Sequence, residues 1–166
     1  MNHPAPQIRF TPIGIIHTPF QESAGTPIQP SRARRARGAV QLFDRYREGL
    51  KDLDGFERIW LIYQFHRAAE PRLAVVPYLD NRERGIFATR APARPNAIGI
   101  SAVRLLRVQG ATLEVGDVDV LDGTPLLDIK PYVAEFDCYP VKRSGWVDRS
   151  PIRRRAADDR FEKNGR

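Results

Sequence analysis

What is missing narrows this chain first. Its 166 residues hold one cysteine, Cys138, so no intrachain disulfide can form and a reducing, cytoplasmic compartment is expected. No two glycines stand two apart, which removes the Gly-x-Gly phosphate turn and the dinucleotide fingerprint; a P-loop and a Gly-x-Ser-x-Gly elbow are absent too. His3, His17 and His66 lie far apart, and no Cys-x-x-Cys or His-x-x-x-His spacing occurs, so no metal site is expected. The longest strictly apolar run, Ile59 to Tyr63, is far too short to span a bilayer, and no basic-then-apolar leader opens the chain. Alternating helices are missing as well, which argues against a doubly wound α/β fold.

Charge is plentiful but uneven. The formal net charge is +7. Residues 31–47 carry six arginines against Asp44, a net +5, and residues 141–166 carry another net +5. Everything between and before them sums to −3. A mildly acidic core with two basic attachments is the pattern of a fold that faces a polyanion such as nucleic acid.

Short strands dominate the pattern. Ile8–His17, Ala39–Phe43, Glu57–His66, Leu73–Leu79 and Gly85–Thr89 are expected as strands, of which Glu57–His66 is the clearest and Leu73–Leu79 weaker. Ile98–Val108 and Ala111–Val120 flank Gln109-Gly110, a hairpin turn, and Asp122-Gly123 is a second turn before Leu126–Ile129. Tyr46, Leu50 and Leu53 recur at helical spacing, with Gly55 closing the segment. Thr18–Ser31, rich in Pro and Gly, is a loop long enough to be functional. The reading is a mainly β fold, a small barrel with one or two short helices, spanning residues 1–148. The basic tail 149–166 is expected to be poorly ordered. Cys138 is expected to be an inert core thiol, and Arg104 to sit mid-strand without a loop partner.

The polar residues of interest fall between apolar runs. Arg90 follows a strand, where its guanidinium can fork onto a carboxylate or phosphate. In Arg94-Pro95-Asn96 the proline holds Arg94 extended and aims it, and Asn96 can bond its own backbone or a base edge. Asp119 and Asp122 approach the Gly123 turn. His66 ends the clearest strand. Pro27-Ile28-Gln29-Pro30 stiffens the long loop, and Arg32, Arg34, Arg35 and Arg37 follow it.

In order, Ile13–Phe20 (IGIIHTPF), Pro27–Pro30 (PIQP), Gly49–Arg67 (GLKDLDGFERIWLIYQFHR), Arg84–Ser101 (RGIFATRAPARPNAIGIS) and Asp117–Tyr132 (DVDVLDGTPLLDIKPY) resemble the TrmO (YaeB/TsaA) family of threonylcarbamoyladenosine tRNA methyltransferases. The resemblance implies a single-sheet β-barrel methyltransferase of non-Rossmann type, S-adenosyl-L-methionine as cofactor, and a homodimer with the cofactor near the subunit interface. It implies N6 of threonylcarbamoyladenosine, beside the anticodon of threonine tRNA, as target. Family cofactor contacts carry over onto Pro27, Ile28 and Gln29, onto His66 and Arg67, onto Arg90 and Ile100, and onto the run Asp119, Val120, Leu121 and Asp122. Family members commonly read Pro-Arg-Gln where this chain has Pro27-Ile28-Gln29, and His-Gln where it has His66-Arg67. Longer members carry a further C-terminal domain, for which the basic tail is the expected substitute.

The chemistry implied adds its own demands. Methyl transfer from a sulfonium is an in-line displacement that rewards alignment. The acceptor nitrogen is urea-like and needs its proton removed, so a base is expected, with Asp122, His66 and Tyr132 as candidates. The modified base carries a carboxylate, for which Arg90, Arg94 or one of Arg32–Arg37 is a natural partner; Arg32, Arg34, Arg35, Arg37, Arg94 and Asn96 are assigned to RNA or substrate. Trp60, Ile62 and Trp146 are assigned to a dimer interface. Two other readings stand beside this one: the same barrel acting on another, smaller substrate, and a non-catalytic barrel that binds RNA or senses S-adenosylmethionine.

Overall fold

Among the described residues, eight strands carry the fold: β1 (Gly14–His17), β2 (Arg37–Leu42), β3 (Arg58–Gln64), β4 (Ala74–Val75), β5 (Arg84–Gly85), β6 (Ile98–Gln109), β7 (Thr112–Gly116) and β8 (Thr124–Pro131). The computed structural model describes residues 7–150 and 152–162. Six strands close an antiparallel barrel in the order β1-β2-β7-β6-β3-β8, while β4 and β5 pair alone as a small ribbon. One four-residue α-helix, α1 (Ala134–Asp137), follows β8. The expected mainly β barrel is therefore the fold observed.

Alternation fills the barrel. Ile59 and Leu61 of β3, Val103 of β6, Leu113 and Val115 of β7 and Leu126 of β8 all sit at 0% exposure on the inward face. Each such side chain contributes roughly 1.5–3 kcal/mol relative to leaving it in water. β6 is long because it pairs with β3 along its first half and with β7 along its second. A register shift between Leu105 and Arg107 bends it between the two partners. Gly110, with φ +62°, makes the tight β6–β7 turn.

Several expectations are corrected. Tyr46–Leu53 is not an α-helix. Two 3₁₀ segments, Asp44–Leu50 and Leu53–Gly55, are separated by Asp52 in the left-handed region at φ 64°, which lets Leu50 and Leu53 both reach the core. The first strand shrinks to Gly14–His17, because only there does the chain pair with β2 and β8. Gly85–Thr89 is strand only at Arg84–Gly85 and then turns through Ile86–Ala88, burying Ile86 under the ribbon. Cys138 is exposed, just past the α1 turn, so it is no core thiol. Arg104 has a partner: its Nε donates to Asp117 at 3.0 Å, and Arg58 donates to the same carboxylate at 3.0 Å.

The C-terminal tail differs most. Residues 152–162 pack back onto the molecule. Phe161 is 4% exposed and meets Tyr78 edge-on at 5.1 Å, joining a second small core with Val75, Ile86, Ala91 and Ala93. Asp158 pairs with both Arg154 and Arg160, so the charge of this stretch is partly internal. A basic stretch with one buried aromatic and its own acids can fold where a purely basic one would not; composition averaged over the tail concealed this.

Candidate active site

One end of the barrel opens into a cleft of about 250 Å³. Its floor is set by a strand pair: Tyr63 of β3 lies directly across from Gly99 of β6. A methyl group on residue 99 would stand 2.2 Å from the Tyr63 ring, so glycine is what lets the ring lie there. Tyr63 Oη and Ser101 Oγ are 3.0 Å apart, and Ser101 donates to Asp119 Oδ1 at 2.6 Å. Since the serine proton goes to the carboxylate, the tyrosine hydroxyl donates to the serine. Asp119 has no ion-pair partner among the described residues. Burial pushes its carboxyl up to about 7, against the Ser101 bond and the charge of Arg90. Burial first, then the Asp119 charge, raises the Tyr63 phenol, which stays neutral at all ordinary pH.

Asp119 reaches this wall because the chain leaves β7 through a sharp turn. Asp117 adopts φ 60° and is clamped between Arg58 and Arg104. Burial works to raise the Asp117 carboxyl, and the two guanidiniums overcome it and hold the pKa below the usual range. The clamp fixes the start of the Val118–Asp122 segment. Val118 turns into the core, Val120 is buried between the core and the cleft, and Asp119 and Leu121 line the cleft.

The loop side of the cleft brings in Pro27, Ile28 and Gln29, and the end of β3 brings in His66 and Arg67. Arg90 Nη1 donates to Gln29 Oε1 at 2.7 Å, joining the strand-following arginine to the loop. Arg67 Nη1 donates to the Gln21 carbonyl. His66 Nδ1 lies 3.3 Å from Thr124 Oγ1, whose own proton goes to Leu121 O at 2.7 Å. The hydroxyl is therefore left to accept, which places the imidazole proton on Nδ1 and leaves Nε2 with a lone pair. Burial, then the neighbouring Arg67, lowers the His66 pKa, while Asp122 works the other way. The imidazole is neutral at pH 7.

Thus Pro27, Ile28, Gln29, His66, Arg67, Arg90, Ile100, Asp119, Val120 and Leu121 converge on the cleft. Other candidates do not. Asp122 turns away to accept from the Thr18 amide at 3.0 Å and from Gln21 at 3.2 Å, beside His17 at 3.4 Å, and is held ionised chiefly by the amide. It ties the loop to the turn. Tyr132 packs on Trp60 with ring centroids 5.5 Å apart, beyond the far end of β8 from Thr124 and the cleft. Arg94 touches the cleft but spends its Nη1 on the carbonyls of Thr89, Ala91 and Ile86, bracing its own loop. Asn96 is exposed and outside the cleft lining. Arg32, Arg34, Arg35 and Arg37 lie beyond the lining too, though they follow Gln29 directly. Trp146 is engaged internally, donating to Ala88 O at 2.8 Å under the Arg84 guanidinium.

Sequence reasoning missed Tyr63, Ser101, Thr124, Tyr78 and two tail residues, Ala157 and Phe161. A signal existed for one. Gly99, Ser101 and Val103 share the inward face of β6, and a serine and a glycine on an inward strand face are a poor core and a good wall for a polar cavity.

A closed antiparallel barrel whose cleft is built from loops and strand ends, with no phosphate turn, defines the class: a non-Rossmann small-ligand barrel. The tRNA-methyltransferase O N-terminal domain family model matches residues 15–138, and the chain belongs to that family. It is 54% identical over 143 residues to a probable S-adenosyl-L-methionine-binding protein of Pyrococcus abyssi, covering 86% of this chain and 78% of that one. It is 35% identical over 155 residues to the tRNA (adenine(37)-N6)-methyltransferase of Mus musculus, covering 89% of this chain and 36% of the mouse protein. The crystal structure of TrmO from Pseudomonas aeruginosa superimposes with a TM-score of 0.70 at 39% identity, over 84% of this chain and 62% of that chain. This chain thus spans less than two thirds of the length of several proteins it resembles.

Proposed function

We propose that this protein is an S-adenosylmethionine-dependent methyltransferase that methylates N6 of threonylcarbamoyladenosine beside the anticodon of threonine tRNA, working as a homodimer. The observation that carries the reading is convergence. Segments far apart in the chain, Pro27–Gln29, His66–Arg67, Arg90, Ile100 and Asp119–Leu121, meet in one cleft. These are positions onto which the family resemblance carries cofactor contacts. The names of the Pyrococcus and mouse relatives support the cofactor and the adenine target, respectively.

The donor set fits that cofactor. A half-buried carboxylate without a cationic partner, Asp119, suits a ligand carrying positive charge, because such a carboxylate is costly to hold ionised alone. Arg90, exposed at the rim, suits the ligand's carboxylate. The bound cofactor supplies a methyl group on a sulfonium. The protein's share is to align donor and acceptor, keep water out with Tyr63, Ile100 and Phe161, and accept a proton from the acceptor nitrogen. Of the expected bases, His66 is supported, being neutral, in the cleft, and with its Nε2 lone pair unspent. Asp122 and Tyr132 are not supported, since each is engaged elsewhere. Exposed Phe136, Tyr139 and Val141 past β8 support a second copy as partner.

The test is methyl transfer in vitro to tRNA carrying threonylcarbamoyladenosine, read by nucleoside mass spectrometry, with tRNA lacking the modification as control. Transfer only to the modified tRNA is expected. Cofactor binding with transfer to some other acceptor would favour the same barrel on a smaller substrate. Cofactor binding with no transfer would leave a non-catalytic barrel.

A further inference from the structure

The family match ends at residue 138, yet residues far beyond it form part of the cleft. Residues 155–157 run antiparallel to the cleft loop: Ile28 N donates to Arg155 O at 3.1 Å, Gly25 N to Ala157 O at 3.0 Å, and Ala157 N to Thr26 O at 2.7 Å. The strand end is tied next. Ala69 N donates to Phe161 O at 2.8 Å. Between these stitches the chain presents Ala157 and Phe161 to the cleft. Glu162 then closes the ring. Its Oε1 accepts from both Ser23 N, at 2.9 Å, and Ser23 Oγ, at 2.7 Å, and lies 3.4 Å from Arg67 Nη2. Burial works to raise this carboxyl, but the serine bonds and Arg67 win and keep it ionised.

The loop has few other anchors. Between Ser23 and Gln29, among the described residues, the hydrogen bonds that tie it without the strap are those of the Thr26 amide and hydroxyl to Ser23 O and Glu22 O, of Arg32 N to Gln29 O, and of Arg90 to the Gln29 side chain. All but the last are local. A Pro- and Gly-rich loop of this kind gains its fixed shape from what it is laced to. The lacing residue also reaches Arg67, so Glu162 sets two walls at once.

We infer that residues 155–162 are a strap that completes the cofactor cleft from the same chain, with Phe161 as a wall residue and Glu162 as the positioning residue for Ser23–Gln29 and Arg67. The inference rests on the cleft being the S-adenosylmethionine site. It replaces the expectation that the whole tail serves RNA backbone.

The experiment compares the full chain with Glu162→Gln, Phe161→Ala and a chain ending at Arg154. S-adenosylmethionine binding is read by calorimetry, KM for cofactor and for tRNA by steady-state kinetics, folding by thermal melting, and the amides of Gly25 and Ile28 by hydrogen exchange. For Glu162→Gln we expect cofactor KM to rise about five- to tenfold, as for loss of a charge-assisted hydrogen bond. KM for tRNA should hardly move, melting should shift little, and the Gly25 and Ile28 amides should lose protection; Glu162→Asp should recover part of the affinity. Phe161→Ala and the truncation should weaken cofactor binding further. If the truncated chain fails to melt cooperatively, Glu162→Gln alone decides. Unchanged cofactor affinity in both point variants overturns the strap, as does an effect confined to KM for tRNA. Failure of the unaltered chain itself to bind S-adenosylmethionine overturns the cofactor reading, and the strap with it.

Discussion

Residues 31–47 and 141–166 carry the same net charge, +5 each, but the fold treats them differently. In the first, the side chains of Arg32, Arg34, Arg35 and Arg37 make no ion pair among the described residues, and all but Arg32 are exposed. Buried Ala33 pins the turn beneath them, and Arg35 is held at φ 76°. The group follows Gln29, so it extends from the rim of the cleft. In the second stretch Arg154 and Arg160 are spent on Asp158, Arg153 donates to Ser150 O, and the backbone between them laces the cleft loop. The first region's arginine cluster is open to a polyanion; in the second, Arg153, Arg154 and Arg160 are committed within the strap, while Lys142, Arg143, Arg149 and Arg155 make no ion pair among the described residues. Net charge counts residues; function depends on which charges already have partners.

The cleft that both regions border is where the largest effect is expected. Gly99→Ala should push the Tyr63 ring out of place, since the new methyl would sit within van der Waals distance of both Tyr63 and Phe65. The Tyr63–Ser101–Asp119 chain would break at its first link. Cofactor affinity should fall by about 100-fold, equivalent to about 2.7 kcal/mol, as measured by calorimetry. Little change in affinity would show that the floor of the cleft has no part in binding.

The next effect separates the regions directly. Replacing Arg32, Arg34, Arg35 and Arg37 together by Gln should weaken tRNA binding by about 10- to 100-fold at low salt and flatten its salt dependence by about 0.7 log unit per lost phosphate contact. S-adenosylmethionine affinity should stay where it was. Fluorescence titration of tRNA across a salt series measures both. An equal loss from Arg154→Gln with Arg160→Gln would erase the distinction between the two stretches.

How far the sequence revealed this follows the same line. The barrel was legible because inward positions alternate, as in Ile59–Leu61–Tyr63, and because Gln109-Gly110 and Asp122-Gly123 sit where turns are needed. The cleft was legible in part, through Pro27–Gln29, His66, Arg90 and Asp119. What failed was partnership. Asp122, Arg94 and Arg104 all read as spare polar groups, and each is spent on a contact with a residue or carbonyl that spacing alone does not reveal. The Thr18 amide lies 104 residues from Asp122. The strap failed for the same reason, since Glu162 and Ser23 are 139 residues apart. Local pattern reports which face a residue takes, and only the closed barrel reports what it meets there.

Arg104 tests that point with a moderate effect. Arg104→Ala should leave Asp117 half paired, with Arg58 alone opposing its burial. A loss of roughly 1–2 kcal/mol in folding free energy is expected, the pair being partly exposed and screened. Because Asp117 pKa is depressed in the folded state, its stabilisation is complete above the unfolded carboxylate pKa and is lost as pH falls through the folded value. Urea unfolding at pH 7 and pH 3 should therefore show the variant's deficit shrinking at the lower pH. A deficit independent of pH would mean Arg104 acts through packing of its stem.

The smallest expected effect concerns pH, and it distinguishes the cleft from the arginine cluster most cleanly. The Asp119 carboxyl sits up to about 7 through burial, opposed by Ser101 and Arg90. A cationic ligand favours the ionised form, so at pH 5.5 binding must expel a proton and at pH 7.5 it need not. Cofactor affinity should rise across that window by about five- to tenfold and level off above it. His66 and Arg67 also face the cleft, and a protonated His66 would oppose a cation in the same pH direction, so slope alone does not identify the group. Asp119→Asn resolves the two: it should lower affinity at pH 7.5 toward the pH 5.5 value and flatten most of the slope, whereas His66→Gln should keep it. Arginines do not titrate in this range, so the share of tRNA binding that the cluster provides should be level across the window. An unchanged slope in Asp119→Asn would transfer the titration to His66 and leave Asp119 as a neutral hydrogen-bonding wall.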